Sequence, residues 1–297
     1  MTPLRADALK GHAAMLGFAL IISGSFSLGA PAAKLVAPSA LNAARFALAI
    51  PLLCAAAALG PGLRRDQLGA PWRYLFLGGL LAAYFVLMFE ALRLTDPVST
   101  AAVFTLTPIM SALFARLFDG QRISGAMAGA LALGGGGALW VIFRGDLDAM
   151  LALRFGEGER LYLVGCALHA LYTPMVRRLN RGEPPLAFAF WTTLGCGTVI
   201  FAWALVEGAL APVDWAALPR EAWVAIIYLA IGPTATTFFL LQFAALRLHA
   251  GAAMAYGYLV PSFVILWEGV AGRGWVAPVT WIGVAATVAA MAWLLRR

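Results

Sequence analysis

Ten apolar segments, each about twenty residues long, follow one another along the 297 residues with short connections between them. A helix needs about 20 apolar residues to cross the hydrocarbon core of a bilayer, since each residue advances it by about 1.5 Å. We therefore predict an all-α membrane protein of ten transmembrane helices. The predicted spans are 13–33, 39–59, 72–92, 98–118, 123–143, 161–179, 186–206, 221–246, 251–270 and 276–295.

The composition fits a lipid environment rather than water. Hydrophobic residues make up 62% of the chain and charged residues 12%, against about 45–50% and about 25% in soluble domains. The net charge of +7 is spread over the connections, so we predict membrane lipids and no nucleic acid as partners. The spacing of Cys54, Cys166 and Cys196 matches no metal site, and we predict neither a metal nor a cofactor.

The Lys and Arg residues predict the orientation of the chain. With the N-terminus in the cytoplasm, thirteen of them fall on the cytoplasmic side and seven on the other, leaving Arg45 inside the second span. Cytoplasmic loops carry the excess of basic residues in membrane proteins. We therefore predict a multi-pass inner-membrane protein with both termini in the cytoplasm.

The two halves of the sequence repeat each other. The tetrapeptide Ala-Leu-Arg-Leu at 91–94 recurs at 245–248, and Pro108 corresponds to Pro261. We predict a first five-helix repeat over 1–145, a periplasmic connecting loop over 146–160 and a second repeat over 161–297. Because five is odd, the second copy enters the membrane from the opposite side, which makes the repeats inverted. Inverted repeats are typical of transporters whose site lies near the midplane between the halves.

These residues, in this order, are similar to those of a known family. The repeated tetrapeptide, the two prolines, the turn Phe-Asp-Gly-Gln at 118–121, the glycine-rich fifth span and Arg45 followed by Phe46 are the matching features. The chain resembles the EamA-domain branch of the drug/metabolite transporter superfamily. The resemblance implies ten helices and transport of a small-molecule substrate, and within the family it looks most like an exporter of amino acids, including aromatic ones.

Polar and aromatic side chains inside the spans are the candidate substrate contacts, because buried polar groups are costly in lipid. His169, near the middle of the sixth span, fits a substrate contact or a proton relay, and equally an imidazole satisfied in a packed core. Single aromatic residues also fit plain packing or an interfacial position. The predicted substrate-binding residues are His169, Tyr172, Tyr84, Trp191, Tyr256, Tyr258, Phe239, Phe243 and Gln242.

Three charged residues and two prolines complete the candidate set. Glu90 and Glu268 fit either boundary charges that reach the headgroups or sites for a proton or an ammonium group. Arg45 fits a partner for one of those acids, a carboxylate-binding residue, or a side chain that reaches the surface. Pro108 and Pro261 are predicted to break their helices, since proline lacks the backbone N–H.

Four consecutive glycines at 134–137 resemble a phosphate-binding loop only superficially. They lie inside an apolar span without the strand and lysine of such a loop. Together with Gly125, Gly129 and Ala130 they form the spacing of small residues that lets two membrane helices approach closely. We therefore predict a helix contact in the fifth span.

Several functions are compatible with these observations. Export of amino acids or related metabolites by alternating access fits the sparse buried polar set, and efflux of drugs or other amphipathic compounds is the alternative within the same fold. An integral membrane enzyme or a receptor is the alternative of another class; paired acids or a His/Asp cluster are missing, so we predict no enzyme. Coupling stays open between proton antiport and facilitated diffusion, and the assembly between monomer and dimer.

Overall fold

A computed structural model describes residues 3–248 and 250–295. Met1, Thr2, His249, Arg296 and Arg297 lie outside this part, and with them the two C-terminal arginines counted for the cytoplasmic side. Every regular element within these two ranges is helical. The helices of the first half are α1 (Pro3–Leu35), α2 (Pro38–Leu59), α3 (Trp72–Leu94), α4 (Pro97–Phe104), α5 (Thr107–Asp119) and α6 (Gly125–Ile142).

The second half repeats this order. A short helix, α7 (Leu147–Leu151), lies in the connection between the halves. The remaining helices are α8 (Glu157–Leu179), α9 (Pro185–Val206), α10 (Arg220–Ala230), α11 (Thr237–Ala245), α12 (Ala250–Ala255), α13 (Val260–Val270) and α14 (Thr280–Leu295). A π-helical segment, Ile231–Thr236, joins α10 to α11, and a 3-10 segment, Tyr256–Leu259, joins α12 to α13.

Helix boundaries follow local chemistry. Asp96 caps α4 by accepting the Ser99 backbone N–H at 2.8 Å, and Pro97 takes the first helical position, where its missing N–H costs nothing. Gly120 ends α5 in the left-handed region, at a φ of 66°. Ser124 then begins α6 by accepting the Met127 N–H. Local residues therefore determine where α5 ends and where α6 begins.

Two of the predicted spans are interrupted, both just before a proline. The fourth is split into α4 and α5, and α5 restarts at Thr107 with Pro108 in its first turn. The ninth is split into α12 and α13, and α13 restarts at Val260 with Pro261 in its first turn. Gly257 lies against both Phe104 and Thr107, so the two interruptions pack against each other.

Seven helical segments in the described ranges are long and apolar enough to cross a bilayer: those over Asp7–Leu35, Pro38–Leu59, Trp72–Leu94, Pro97–Asp119, Gly125–Ile142, Pro185–Val206 and Arg220–Ala245. The other three predicted spans are helical but differ in kind. α8 carries charged residues at both ends, α12 and α13 are short, and α14 has 16 residues. Leu59, Val206 and Val270 are 80–90% exposed, as expected for side chains that face lipid.

Contacts between the halves are reciprocal. α3 packs on α8 and α9, while α10 and α11, its counterpart in the second half, pack on α1 and α2. α2 packs on α9, and α6 packs on α14. The same set of contacts is therefore recovered when the two halves are exchanged, which fits a two-repeat architecture.

The predicted glycine contact of the fifth span is confirmed. A Cβ on Gly137 would lie 2.7 Å from the backbone oxygen of Gly283 in α14, and one on Gly283 would lie 2.5 Å from the oxygen of Gly137. Only glycine permits this approach of the α6 and α14 backbones. Gly134, Gly135 and Gly137 form a packing surface, whereas a Cβ on Gly136 would meet nothing within 4 Å.

Candidate functional site

One charged side chain lies in the middle of the bundle. Arg45 of α2 is fully buried. Its Nε donates to Thr234 Oγ1 at 2.8 Å, its Nη1 to Asn42 Oδ1 at 3.2 Å and its Nη2 to the Pro233 carbonyl at 3.2 Å. The guanidinium therefore joins the first half to the second.

The π-helical segment makes this contact possible. Pro233 has no N–H and its ring disfavours a regular helix around it, and the helix widens there over Ile231–Thr236. The Pro233 carbonyl accepts from Arg45 and also from Thr237 Oγ1, at 2.8 Å. Backbone groups left free at such a bulge need other partners within a membrane, and Arg45 is one of them.

Aromatic rings surround the Arg45 guanidinium. Its Cζ lies 4.1 Å from the centre of the Phe85 ring, 5.5 Å from that of Phe46 and 5.8 Å from that of Phe89. Phe238 of α11 stacks on Phe85, with ring centres 6.0 Å apart and an interplanar angle of 13°. Cation–π contacts of this kind stabilise a desolvated guanidinium by about 2 kcal/mol.

His169 lies beside this centre. Its ring centre is 4.6 Å from that of Tyr84, 5.3 Å from that of Phe104 and 6.5 Å from that of Tyr172. The imidazole is 2% exposed, and its Nδ1 has no hydrogen-bond partner among the described residues. An unpaired polar atom is uncommon in a buried site, so His169 has capacity for a further hydrogen bond.

Two further pairs extend the cluster along α8. Gln242 Nε2 donates to the Tyr172 hydroxyl at 2.7 Å, whereas Gln242 Oε1 finds no partner in the described part of the chain. The Tyr84 and Tyr162 hydroxyls lie 3.1 Å apart. We call the set Arg45, Phe85, Tyr84, His169, Tyr172 and Gln242 the central cluster. It draws on α2, α3, α8 and α11, and hence on both halves.

Trp191 is not part of the central cluster. Its indole Nε1 donates to Gln67 Oε1 at 2.8 Å, and its ring stacks on Tyr74 with centres 6.1 Å apart. Tyr74 in turn donates to the Gln67 carbonyl. Trp191 therefore lies near the ends of helices α2 and α3 rather than at the middle of the bundle.

Tyr256 and Tyr258 also lie apart from the cluster. The Tyr256 hydroxyl is 3.2 Å from His12 Nδ1 of α1. Tyr258 is fully buried against Gly134, where its hydroxyl has no partner within the described ranges. Tyr256 thus contacts α1, whereas Tyr258 packs among residues of α5, α6, α12 and α14.

Phe239 and Phe243 face a different direction from the residues of α11 that reach the cluster. Their rings contact each other at 5.7 Å, and Arg247 lies 3.6 Å above the Phe243 ring. Phe238, one residue earlier, packs on Phe85 and Phe46. Phe238 was not among the predicted substrate-binding residues.

The suggested pairing of Arg45 with Glu90 or Glu268 is wrong. Glu90 pairs with Arg93 at 3.1 Å on an exposed surface. Glu268 pairs with Arg273 at 3.0 Å, and Arg273 also donates to the Ser27 carbonyl. Each acid therefore pairs with a basic residue three or five positions further along the chain, and neither pairs with Arg45.

Hydrogen bonds between the halves close one end of the bundle at the start of α3. Arg73 donates to Glu183 Oε1 at 2.7 Å and to the Leu179 carbonyl, and Arg178 donates to the Phe118 carbonyl. We call this the Arg73 end. A pocket of about 270 Å³ opens there, lined by residues that include Arg64, Asp66, Gln67 and Arg181.

The opposite end is closed as well. Glu159 at the start of α8 accepts from Thr95 Oγ1 at 2.6 Å and Ser99 Oγ at 2.7 Å. Ser39 at the start of α2 donates to Glu207 just after α9, at 2.5 Å. We call this the Glu159 end. With both ends closed and its residues buried, the central cluster is occluded from either side.

The comparisons with known proteins agree with this architecture. Residues 9–143 and 157–296 each match the EamA-like transporter family. The chain belongs to the EamA-like transporter family. It is a multi-pass membrane protein, and its family indicates transport rather than catalysis.

Two related proteins extend this result. YyaM of Bacillus subtilis (strain 168), described as an uncharacterized transporter, is 26% identical over 221 residues, which is 73% of this chain and 71% of YyaM. A protein of known crystal structure is 24% identical, with a TM-score of 0.74 over 98% of this chain and 99% of its own. At that identity the likeness shows a shared fold and nothing more.

Several residues of this EamA-like chain that matter for the site were absent from the sequence prediction. Asn42, Thr234 and Phe85 hold Arg45, and Arg73 with Glu183 closes one end. One signal was present: Pro233 followed by Thr234 interrupts an apolar span. The others are ordinary residues in sequence and gain their roles only from neighbours far along the chain.

Proposed function

We propose that this chain is a secondary transporter that exports small metabolites by alternating access, with amino acids, including aromatic and hydrophobic ones, as its substrates. The observation that carries the proposal is the central cluster. It holds Arg45 and two polar atoms that lack a partner among the described residues, His169 Nδ1 and Gln242 Oε1, between two halves, and it is sealed at both ends. A buried polar centre with unmet hydrogen bonds is costly unless a ligand completes it.

We propose further that the halves are inverted and that the chain crosses the membrane ten times. Two contacts support opposite directions: Arg73 at the start of α3 meets Leu179 at the end of α8, while Thr95 just after α3 meets Glu159 at the start of α8. The proposed halves are 1–145 and 161–297, joined by 146–160. With more Lys and Arg on the side of the Arg73 end, that end faces the cytoplasm of a cell with an inner membrane, as do both termini.

Within this proposal the substrate binds at the central cluster. His169, Tyr84, Tyr172 and Gln242 are the contacts that the geometry favours, because they meet where the halves join. Trp191, Tyr256 and Tyr258 lie away from that centre. We propose that they contact the substrate on its way to the centre or stabilise helix packing. Phe239 and Phe243 are proposed to line the end near Arg247.

Uptake into proteoliposomes tests the proposal. Purified protein is reconstituted, preloaded with unlabelled amino acid and supplied with a labelled panel of amino acids outside. We expect counterflow of aromatic and large apolar amino acids, abolished by Tyr172→Phe combined with Gln242→Leu and retained by Trp72→Phe, which changes an exposed residue at the start of α3. Counterflow of amphipathic cations with none of amino acids would replace this function with drug efflux.

The energy source is tested in the same vesicles. We propose protons as the coupling ion, with His169 as the group that binds them, since its Nδ1 lacks a partner in the described structure. A pH gradient should then drive accumulation by the wild type. His169→Gln, which also removes a substrate contact, should weaken counterflow and abolish that accumulation. Accumulation that is equal in both, or absent in both, would indicate facilitated diffusion or another coupling residue.

A further inference from the structure

Arg45 differs from the other buried charged side chains. Within the described ranges the others are Arg73, Glu159 and Glu183. Arg73 and Glu183 form an ion pair at 2.7 Å, and Glu159 lies at a helix start and accepts two hydroxyl hydrogen bonds. Arg45 lies inside α2, and its hydrogen-bond partners in the described part of the chain are all neutral.

The neutral contacts leave the charge of Arg45 incompletely satisfied. Its three hydrogen bonds use three of the five N–H groups of a guanidinium. The remaining stabilisation comes from the face of the Phe85 ring. A charge inside a membrane normally pairs with an opposite charge or lies on the path of a ligand, and no acidic residue in the described structure pairs with this one.

The contact that Arg45 makes between the halves also differs from the corresponding contact on the other side of the repeat. At the matching contact, α3 against α9, a Cβ on Gly78 would overlap the backbone nitrogen of Cys196, so the two backbones touch. Where α2 meets the segment between α10 and α11, a π-helical bulge and a long side chain separate the helices instead. The second contact can give space to a ligand without breaking a backbone-to-backbone interface.

We propose that Arg45 binds the carboxylate of the substrate, and that the carboxylate is required for recognition whereas an amino group is not. This rests on the proposed transport function and narrows its substrates. A guanidinium presents two parallel N–H groups that match the two oxygens of a carboxylate. Binding would place an anion beside the unpaired cation, and the rings of Phe85 and Phe238 would contact the apolar part of the molecule.

Within the described ranges, the central cluster contains no carboxylate that could form an ion pair with the ammonium of an amino acid. The two polar atoms that lack a partner there, His169 Nδ1 and Gln242 Oε1, belong to side chains without a negative charge. A neutral acceptor holds an ammonium group less strongly than a carboxylate does. A carboxylic acid without an amino group should therefore bind as well as the amino acid does.

Four compounds that share a phenyl ring test this directly. L-phenylalanine and 3-phenylpropanoate carry a carboxylate, whereas L-phenylalaninamide and 2-phenylethylamine do not. Binding is measured as the rise in unfolding temperature of purified full-length protein in detergent. We expect both carboxylates to stabilise the wild type, and the amide and the amine to need at least about tenfold higher concentrations for the same rise.

Variants separate recognition from folding. Arg45→Gln can still donate hydrogen bonds but loses the charge. Arg45→Lys keeps the charge but loses the two parallel N–H groups. Arg154→Gln removes an exposed charge and serves as the control. We expect about tenfold or greater loss of carboxylate affinity in Arg45→Gln, a smaller loss in Arg45→Lys and none in Arg154→Gln. The series of compounds on the wild type needs no variant to fold.

The outcomes distinguish this inference from the proposed function. Binding of 3-phenylpropanoate alone would support the carboxylate requirement and contradict amino acids as substrates. Equal stabilisation by the amine or the amide, or carboxylate binding that survives Arg45→Gln, would overturn the role of Arg45 while leaving amino acid transport standing. Stabilisation by none of the four would contradict both.

Discussion

Arg73 and Glu183 form a buried ion pair that joins the two halves, with Arg73 Nη2 2.7 Å from Glu183 Oε1. Arg73 lies at the start of α3 and Glu183 in the loop before α9. The Glu183 carboxylate also accepts the Arg181 backbone N–H at 2.6 Å, and the Tyr74 hydroxyl, which donates to the Gln67 carbonyl, lies 3.1 Å from it. Opening of the Arg73 end requires this pair to separate.

Loss of the Glu183 charge should destabilise the closed protein. Glu183→Gln leaves Arg73 buried without an anion, which costs about 3–5 kcal/mol in a fully dry site; we expect about 2 kcal/mol because a pocket open to water adjoins the pair. Thermal unfolding in detergent measures this. Glu90→Gln, which breaks the exposed pair with Arg93, is the matched control and should change the unfolding temperature little. An equal effect of both substitutions would contradict the role of the buried pair.

Protonation of Glu183 at low pH should remove the stability that its charge contributes. Burial alone would raise the pKa of Glu183, but the hydrogen bond from Arg73, the Arg181 N–H and the positive charge of Arg73 hold this pKa below its ordinary value. A carboxyl whose folded pKa is lowered contributes stability above its unfolded pKa of about 4.3. That contribution is lost as the pH falls through the folded pKa. The difference in unfolding temperature between wild type and Glu183→Gln should therefore be constant above about pH 5 and shrink below about pH 4. A difference that persists unchanged at low pH would exclude the charge as its cause.

Gly78 should tolerate no side chain. A Cβ there would overlap the backbone of Gly195 and Cys196 in α9, whereas one on neighbouring Gly79 meets nothing within 4 Å. We expect Gly78→Ala to cost about 1–3 kcal/mol through overpacking. Gly79→Ala should be neutral or slightly stabilising, since alanine favours helix. Unfolding temperatures of the two variants, measured side by side, check this, and a neutral Gly78→Ala would mean that α3 and α9 do not touch.

The hydroxyl of Thr234 should matter more than that of Thr236. Both donate to a carbonyl of the π-helical segment or the turn before it, but only Thr234 also accepts from Arg45 Nε. Thr234→Val leaves that buried N–H unpaired, at a cost of about 1–3 kcal/mol. Thr236→Val, on the exposed face of the same bulge, should cost less. Equal unfolding temperatures for the two variants would contradict the Arg45 hydrogen bond.

The order of the helices could be predicted because it depends on apolar length, a local property. The contact between α6 and α14 could be predicted for a similar reason, since a run of glycines has one main use inside a membrane helix. The π-helical segment at Pro233 could not. It inserts one extra residue into the turn, so the positions after it rotate and Phe238, rather than Phe239, faces the centre.

The closing contacts were hidden from the sequence for another reason. Arg73 and Glu183 are 110 positions apart, and each sits beside a span boundary, where single charges are common. Only the packing of α3 against α8 and α9 brings them together. Arg45 was visible as a charge inside a span, but its partners depend on the bulge in the other half.

The central claim is that each end must open in turn, and cross-linking the two ends tests it most directly. In protein with Cys54, Cys166 and Cys196 replaced by alanine, Ser39→Cys with Glu207→Cys spans the halves at the Glu159 end. Gln67→Cys with Trp191→Cys spans them near the Arg73 end. Asp96→Cys with Arg144→Cys lies within the first half and serves as the control.

Counterflow of labelled amino acid into proteoliposomes is measured after treatment with a short, reducible thiol cross-linker. We predict that either cross-link between the halves stops counterflow, that reductant restores it, and that the control pair leaves it intact. Full counterflow with both cross-links between the halves formed would show that the two ends need not separate, and would contradict alternating access in this protein.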